Sequence, residues 1–141
     1  MSLSAFLAKN ALKTENIKFA VSSRFIDENK QPVLWEIKSV TGTQDEEIRK
    51  SCMKRVPVPN KKNQYQREID FDMYLSRLAT ACTVFPNLND AELQNSYGVM
   101  GAENLLKTML TAGEYAEYLE KIQQVCGFET TFQDEVDEAK N

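Results

Sequence analysis

The sequence contains no histidine. That absence removes Ser-His-Asp and Cys-His catalysis, imidazole-ligated zinc and histidine pH switching in one step. Cysteine is also sparse: Cys52, Cys82 and Cys126 lie 30 and 44 residues apart and form no Cys-x-x-Cys pair. An odd, scattered set reads as reduced and structural, while a disulfide between two of the three stays open. No stretch approaches the ~20 apolar residues of a membrane helix, so no membrane partner is expected. The N-terminus, Met1 to Asn10, lacks a basic leader and a long apolar run, so it does not read as a signal peptide and cytoplasmic residence is the default. Neither an internal repeat nor a low-complexity tract occurs.

What remains is an ordinary soluble composition, 42% hydrophobic and 27% charged over 141 residues, which fits one domain. A chain of this length buries roughly two thirds of its unfolded surface, enough for a core without staples. The net charge of −4 is unevenly spread. Residues 1–47 carry −1, residues 48–67 carry +7 with no acidic side chain, and residues 68–141 carry −10. Blocks of opposite sign attract over a Debye length of ~8 Å, which favours docking of an acidic partner or oriented self-association.

Periodicity predicts an α+β fold: a small antiparallel unit near the N-terminus, then a largely helical C-terminal half. Ser2 or Ser4 can cap a short helix with Leu3, Phe6 and Leu7 on one face. Ile17, Phe19, Val21 and Phe25 alternate with polar residues, as do Val33, Trp35 and Ile37 beyond the polar turn 27–32, predicting two antiparallel strands. Two strands are marginal alone, so a helix must cover their apolar face. Thr43 and Glu46 have capping-box spacing, predicting a helix from about 44 to 54. Val56-Pro-Val-Pro59 is extended, and its flanks can form a second hairpin around an exposed tip at 60–64. Phe71, Tyr74, Leu75, Leu78, Cys82 and Phe85 make one helical stripe stopped by Pro86. A cap at Asn89–Glu92 opens a short helix, and Leu105, Leu106, Met109 and Leu110 mark another. Thr111–Glu114 caps the last helix, which carries a Glu117–Lys121 pair and stops at Gly127. Residues 1–127 form the domain, and 128–141 an acidic tail that is helical or disordered.

No catalytic constellation emerges, and no metal or cofactor set is recognised. Glu68, Asp70 and Asp72 are explained by a helix N-terminus. Cys82 and Cys126 fall on apolar faces, and only Cys52, beside Lys50 and Lys54, has neighbours that would lower its pKa. The basic residues Arg49, Lys50, Lys54, Arg55, Lys61, Lys62 and Arg67 are candidate partner contacts. A nucleic-acid site would add stacking aromatics or a groove-reading helix, but only Tyr65 is present and the rest of the chain repels phosphate. A nucleic-acid-binding or regulatory role for residues 48–67 is therefore the alternative, not the leading expectation. In the tail, Phe128, Phe132 and Val136 are candidate anchors in a neighbour's groove, with the carboxylates facing that neighbour's basic loop.

Two stretches carry a family resemblance: Arg49-Lys-Ser-Cys-Met-Lys-Arg-Val-Pro-Val-Pro59, and Ala81 to Val99 with Gly101-Ala-Glu103 and Gly113-Glu-Tyr115. The run Phe85-Pro-Asn-Leu-Asn-Asp-Ala-Glu-Leu93 is the most specific part. Together they resemble the XkdN-like tail assembly chaperones of PBSX- or skin-type prophages and related contractile-tailed phages. The resemblance implies a non-enzymatic protein that coats the tape measure protein until tail tube subunits polymerise, and that is absent from the mature tail. It also implies a longer, frameshifted form in which an added domain recruits tube subunits. It supplies no catalytic residue.

Overall fold

The computed structural model describes residues 2–128, so Phe132 and Val136 lie outside it. Among the described residues the architecture is α+β, with two antiparallel sheets and five α-helices. The expected first helix is reduced to one 3-10 turn, Ser4–Phe6, which has no side-chain cap and leaves Leu3, Phe6 and Leu7 exposed. One turn cannot repay helix nucleation without a face to bury.

Strand β1 (Ile17–Phe19) pairs antiparallel with β2 (Trp35–Ile37), placing Phe19 opposite Trp35 and Lys18 opposite Glu36. Helix α1 (Gly42–Ser51) begins earlier than the Thr43–Glu46 spacing predicts. Thr41 is its cap and closes a reciprocal box with Gln44, because two overlapping Thr-x-x-Glu/Gln windows exist and the chain uses the first. Strands β3 (Met53–Pro57) and β4 (Tyr65–Ile69) form the second hairpin as a sheet of their own.

Helix α2 (Phe71–Cys82) starts at Asp70, whose carboxylate accepts the Met73 N–H at 3.2 Å. Its predicted stripe ends early. Thr83–Phe85 is strand β5, which pairs with β2 to give the sheet order β1-β2-β5. Phe85 is thereby half-exposed and does not continue the helical face. The β-branched Thr83 and Val84 favour the extended state, and the Lys38 N–H donates to the Cys82 carbonyl at 2.8 Å, where the chain turns into the sheet.

Helices α3 (Ala91–Ser96), α4 (Ala102–Met109) and α5 (Ala112–Val125) follow. The α3 cap is Asp90, one residue beyond the predicted Asn89. The Thr111–Glu114 box opens α5 as its spacing predicts. Past its end Gly127 takes φ 90°, a left-handed turn that glycine makes at no steric cost. Among the described residues Glu117 and Lys121 form no ion pair; Lys121 instead lies 5.5 Å from the Phe19 ring centroid.

The core sits between the three-stranded sheet and α2, α4 and α5. Tyr118 is its hub, almost fully buried, with Trp35 edge-on at 5.3 Å and Phe19 stacked at 6.2 Å between ring centroids. Its hydroxyl shares a 2.5 Å hydrogen bond with Thr83 Oγ1, and burial pushes its pKa up. Arg77 staples α2 to the Ser51 carbonyl at 2.6 Å and to Glu103 of α4 at 3.0 Å.

Candidate functional site

The acid-free stretch 48–67 becomes the end of α1 and most of the β3–β4 hairpin. The segment after α1 leaves the helix because two prolines follow closely. Its tip reverses through Asn60 and Asn63 at φ 62° and 60°, in the left-handed region that asparagine tolerates better than most residues. The base is closed by the Asp70 N–H donating to the Cys52 carbonyl at 2.7 Å.

Strand alternation divides the hairpin into two unlike faces. One presents Met53, Arg55 and Pro57 with their cross-strand partners Ile69, Arg67 and Tyr65. The other presents Lys54 opposite Glu68 and Val56 opposite Gln66. On the first face the Arg55 guanidinium stacks 4.0 Å from the Tyr65 ring centroid. Exposed cation, aromatic and apolar groups share that face, which suits an acidic, partly apolar partner.

The basic residues singled out in the sequence are not one surface. Arg55 and Arg67 are brought together, while Lys61 and Lys62 sit exposed at the tip. Lys54 lies on the opposite face beside Glu68. Lys50 pairs with Glu46 at 3.2 Å on the outside of α1. Arg49 turns into the fold: its Nε donates to Asp45 Oδ2 at 2.9 Å, and its guanidinium lies 4.6 Å from the Tyr74 ring centroid. The Tyr74 hydroxyl donates to the other Asp45 oxygen, so this group ties α1 to α2. Burial, followed by that bond to Asp45, pushes the Tyr74 pKa up. Phe128 is half-buried against the core, and its N–H donates to the Gln123 carbonyl at 3.1 Å.

A second surface escaped the sequence reading. Phe25, Ile26, Val33, Trp35, Phe85, Pro86, Leu93 and Met109, with Arg24 at the rim, line an open groove of about 380 Å³. Ile26 and Phe85 are each about half exposed there, at 52% and 51%. Arg24 fixes one wall by donating to the Met109 carbonyl at 2.8 Å and to Glu114 at 2.5 Å. That contact, then hydrogen bonds from Ser22 and Thr111, holds the Glu114 carboxyl down at about 2. The lining spans residues 24 to 109, so only the tertiary fold assembles it. The one local signal was the Phe85-Pro86 break, which marked a helix stop instead.

Among the described residues, no group of three or more Cys, Asp or Glu is placed to hold a metal, and no helix is long and apolar enough to cross a membrane. The surfaces on display are suited to holding another macromolecule by apolar and charged contact.

The chain belongs to the phage XkdN-like tail assembly chaperone family, whose model matches residues 3–140. It is therefore a tail assembly chaperone of the prophage-element type. It is similar to the phage-like element PBSX protein XkdN of Bacillus subtilis (strain 168), with 28% identity over 141 residues, 99% of this chain and 93% of that protein. The uncharacterized protein YqbN of the same strain is similar to the same extent, at 28% identity over 99% of this chain and 93% of its own length. The crystal structure of the protein YqbN superposes with a TM-score of 0.77 at 25% identity, covering 92% of this chain and 98% of that one.

Proposed function

We propose that this chain binds the tape measure protein during tail assembly, catalyses no reaction, and is absent from the finished tail. The observation that supports this reading best is the groove beside Ile26 and Phe85. A holdase for an amphipathic helical client needs open apolar surface that accepts a ridge of side chains, and such surface is uncommon without a partner. The Arg55–Tyr65–Arg67 face of the hairpin then receives the client's acidic flank. Repeated weak contacts of this kind coat a long helix with many copies.

The acidic C-terminal segment plays the complementary part. Phe132 and Val136 anchor it on a neighbouring copy, whose Lys54, Lys61 and Lys62 meet its carboxylates, while Phe128, first counted with them, stays packed on its own core, so that weak head-to-tail association follows the client's length. A longer, frameshifted form would bring tail tube subunits to the same assembly.

Co-expression with the tape measure protein tests the reading. The client is expected to remain soluble and to co-purify with the wild-type chain, and both effects are expected to fail with Ile26→Asp combined with Phe85→Asp. Retention of the client by a folded double variant removes the groove from the mechanism. Binding to duplex DNA that collapses as salt rises would favour the nucleic-acid role instead.

A further inference from the structure

Cys82 and Cys126 lie 44 residues apart in sequence, yet their sulfur atoms are 3.6 Å from each other. Cys82 is the last residue of α2 and fully buried; Cys126 caps the C-terminal end of α5 and is partly exposed. A disulfide needs about 2.05 Å between sulfurs, so a small side-chain adjustment at two helix ends would close the gap. Cys52 is held elsewhere, with its sulfur 3.6 Å from Ser51 Oγ and 3.9 Å from an Arg77 nitrogen.

We infer that Cys82 and Cys126 are an oxidation site that closes to an intramolecular disulfide when the protein meets hydrogen peroxide. The two positions divide the work. Cys126 is the attacking sulfur, being the partly exposed one; it shares a hydrogen bond with the fully buried Cys82 and accepts one from the Val40 N–H. The bond shared with Cys82 lowers the Cys126 pKa below the usual thiol value, with burial opposing it, and favours the nucleophilic thiolate there. Cys82 is driven the other way, first by its bond to Cys126 and then by burial, which keeps it a protonated reserve.

In the first step the Cys126 thiolate attacks one peroxide oxygen. An S–O bond forms, the O–O bond breaks, and the departing oxygen leaves as water after taking up a proton. In the second step Cys82 attacks the sulfenic sulfur of Cys126. The S–S bond forms, the S–O bond breaks, and the hydroxide leaves as water with the Cys82 proton. Two thiols are oxidised by two electrons in total, and one peroxide is reduced to two waters.

The bond would close a loop across the α2–α5 packing and fix the ends of both helices. It would also pin Gly127 and Phe128, which follow Cys126 directly, to the end of α2. A thiol reductant reverses it.

The test treats the reduced full chain with hydrogen peroxide, quenches it in acid, and counts thiols after unfolding. Free thiols are expected to fall from three to one, intact mass by two hydrogens, and mapped peptides to join Cys82 to Cys126. Cys52→Ser is expected to keep the link, and Cys126→Ser to abolish it. The peptide map of the unmutated chain decides the matter even if a cysteine variant fails to fold. Sulfinic acid at Cys126 with Cys82 still free, or links made chiefly through Cys52 or between chains, would overturn the inference.

Discussion

Arg55 and Arg67 stand directly opposite each other across the β3–β4 hairpin, two like charges in one cross-strand pair. Such a pair costs stability, and the stacking of Arg55 on Tyr65 offsets part of it. Arg67→Glu creates an opposite-charge pair and is expected to stabilise the hairpin by about 0.2–1 kcal/mol. It should also weaken capture of an acidic client by roughly tenfold, an effect of about 1.4 kcal/mol. Amide exchange across residues 53–69 reads the first effect and calorimetric titration the second; undiminished affinity would place the contact elsewhere.

Arg49 and the tip lysines are expected to separate fold from function. Arg49→Ala removes the bond to Asp45 and the contact with Tyr74, at a cost of about 1 kcal/mol. Lys61→Glu with Lys62→Glu is expected to shift stability by no more than about 0.5 kcal/mol while lowering client affinity. Urea midpoints measured beside binding constants distinguish the two outcomes.

Within the groove, exposure sets the expected response. Ile26 is half exposed, so Ile26→Asp should leave the unfolding midpoint nearly unchanged and impair client solubilisation. Trp35 is 2% exposed and packs on Tyr118, so Trp35→Ala is expected to cost about 3–5 kcal/mol. Thermal melts together with a client-solubility assay check both.

The Arg24–Glu114 contact gives a signed acid dependence. The Glu114 carboxyl titrates near 4.5 when unperturbed and near 2 in the fold. Its stabilisation is therefore fully present above about pH 4.5 and is lost as pH falls through about 2. Glu114→Gln is expected to flatten this part of the acid limb and to leave the slope near neutrality unchanged. Unfolding followed from pH 6 to pH 2 would reveal the difference; parallel curves would contradict it.

Local chemistry made much of this fold readable. The β1–β2 pairing follows from alternation around Trp35 and Ile37, and the Thr111–Glu114 box places the start of α5 because its four residues act alone. The α1 boundary was missed by two residues because Thr41–Gln44 and Thr43–Glu46 offer nearly equal local boxes. Strand β5 was hidden for a different reason. Phe85 falls three residues after Cys82, so it mimics the next helical position, and only pairing with distant β2 makes the segment extended. The charge block 48–67 was plain, yet nothing local showed that Arg49 would turn toward Asp45 while Arg55 and Arg67 turned outward. The groove is wholly tertiary, so neither its shape nor its composition is written in any one segment.

The closure between Cys52 and Asp70 has an architectural consequence. Because the chain leaves and rejoins the body at points joined by a 2.7 Å hydrogen bond, the intervening arm is a detachable cassette. Its exposed charges are expected to be exchangeable while the surrounding scaffold keeps its packing, with Ile69 at the base held against the core. Substitutions confined to the arm's exposed faces are thus expected to alter what it touches without unfolding the body that carries it.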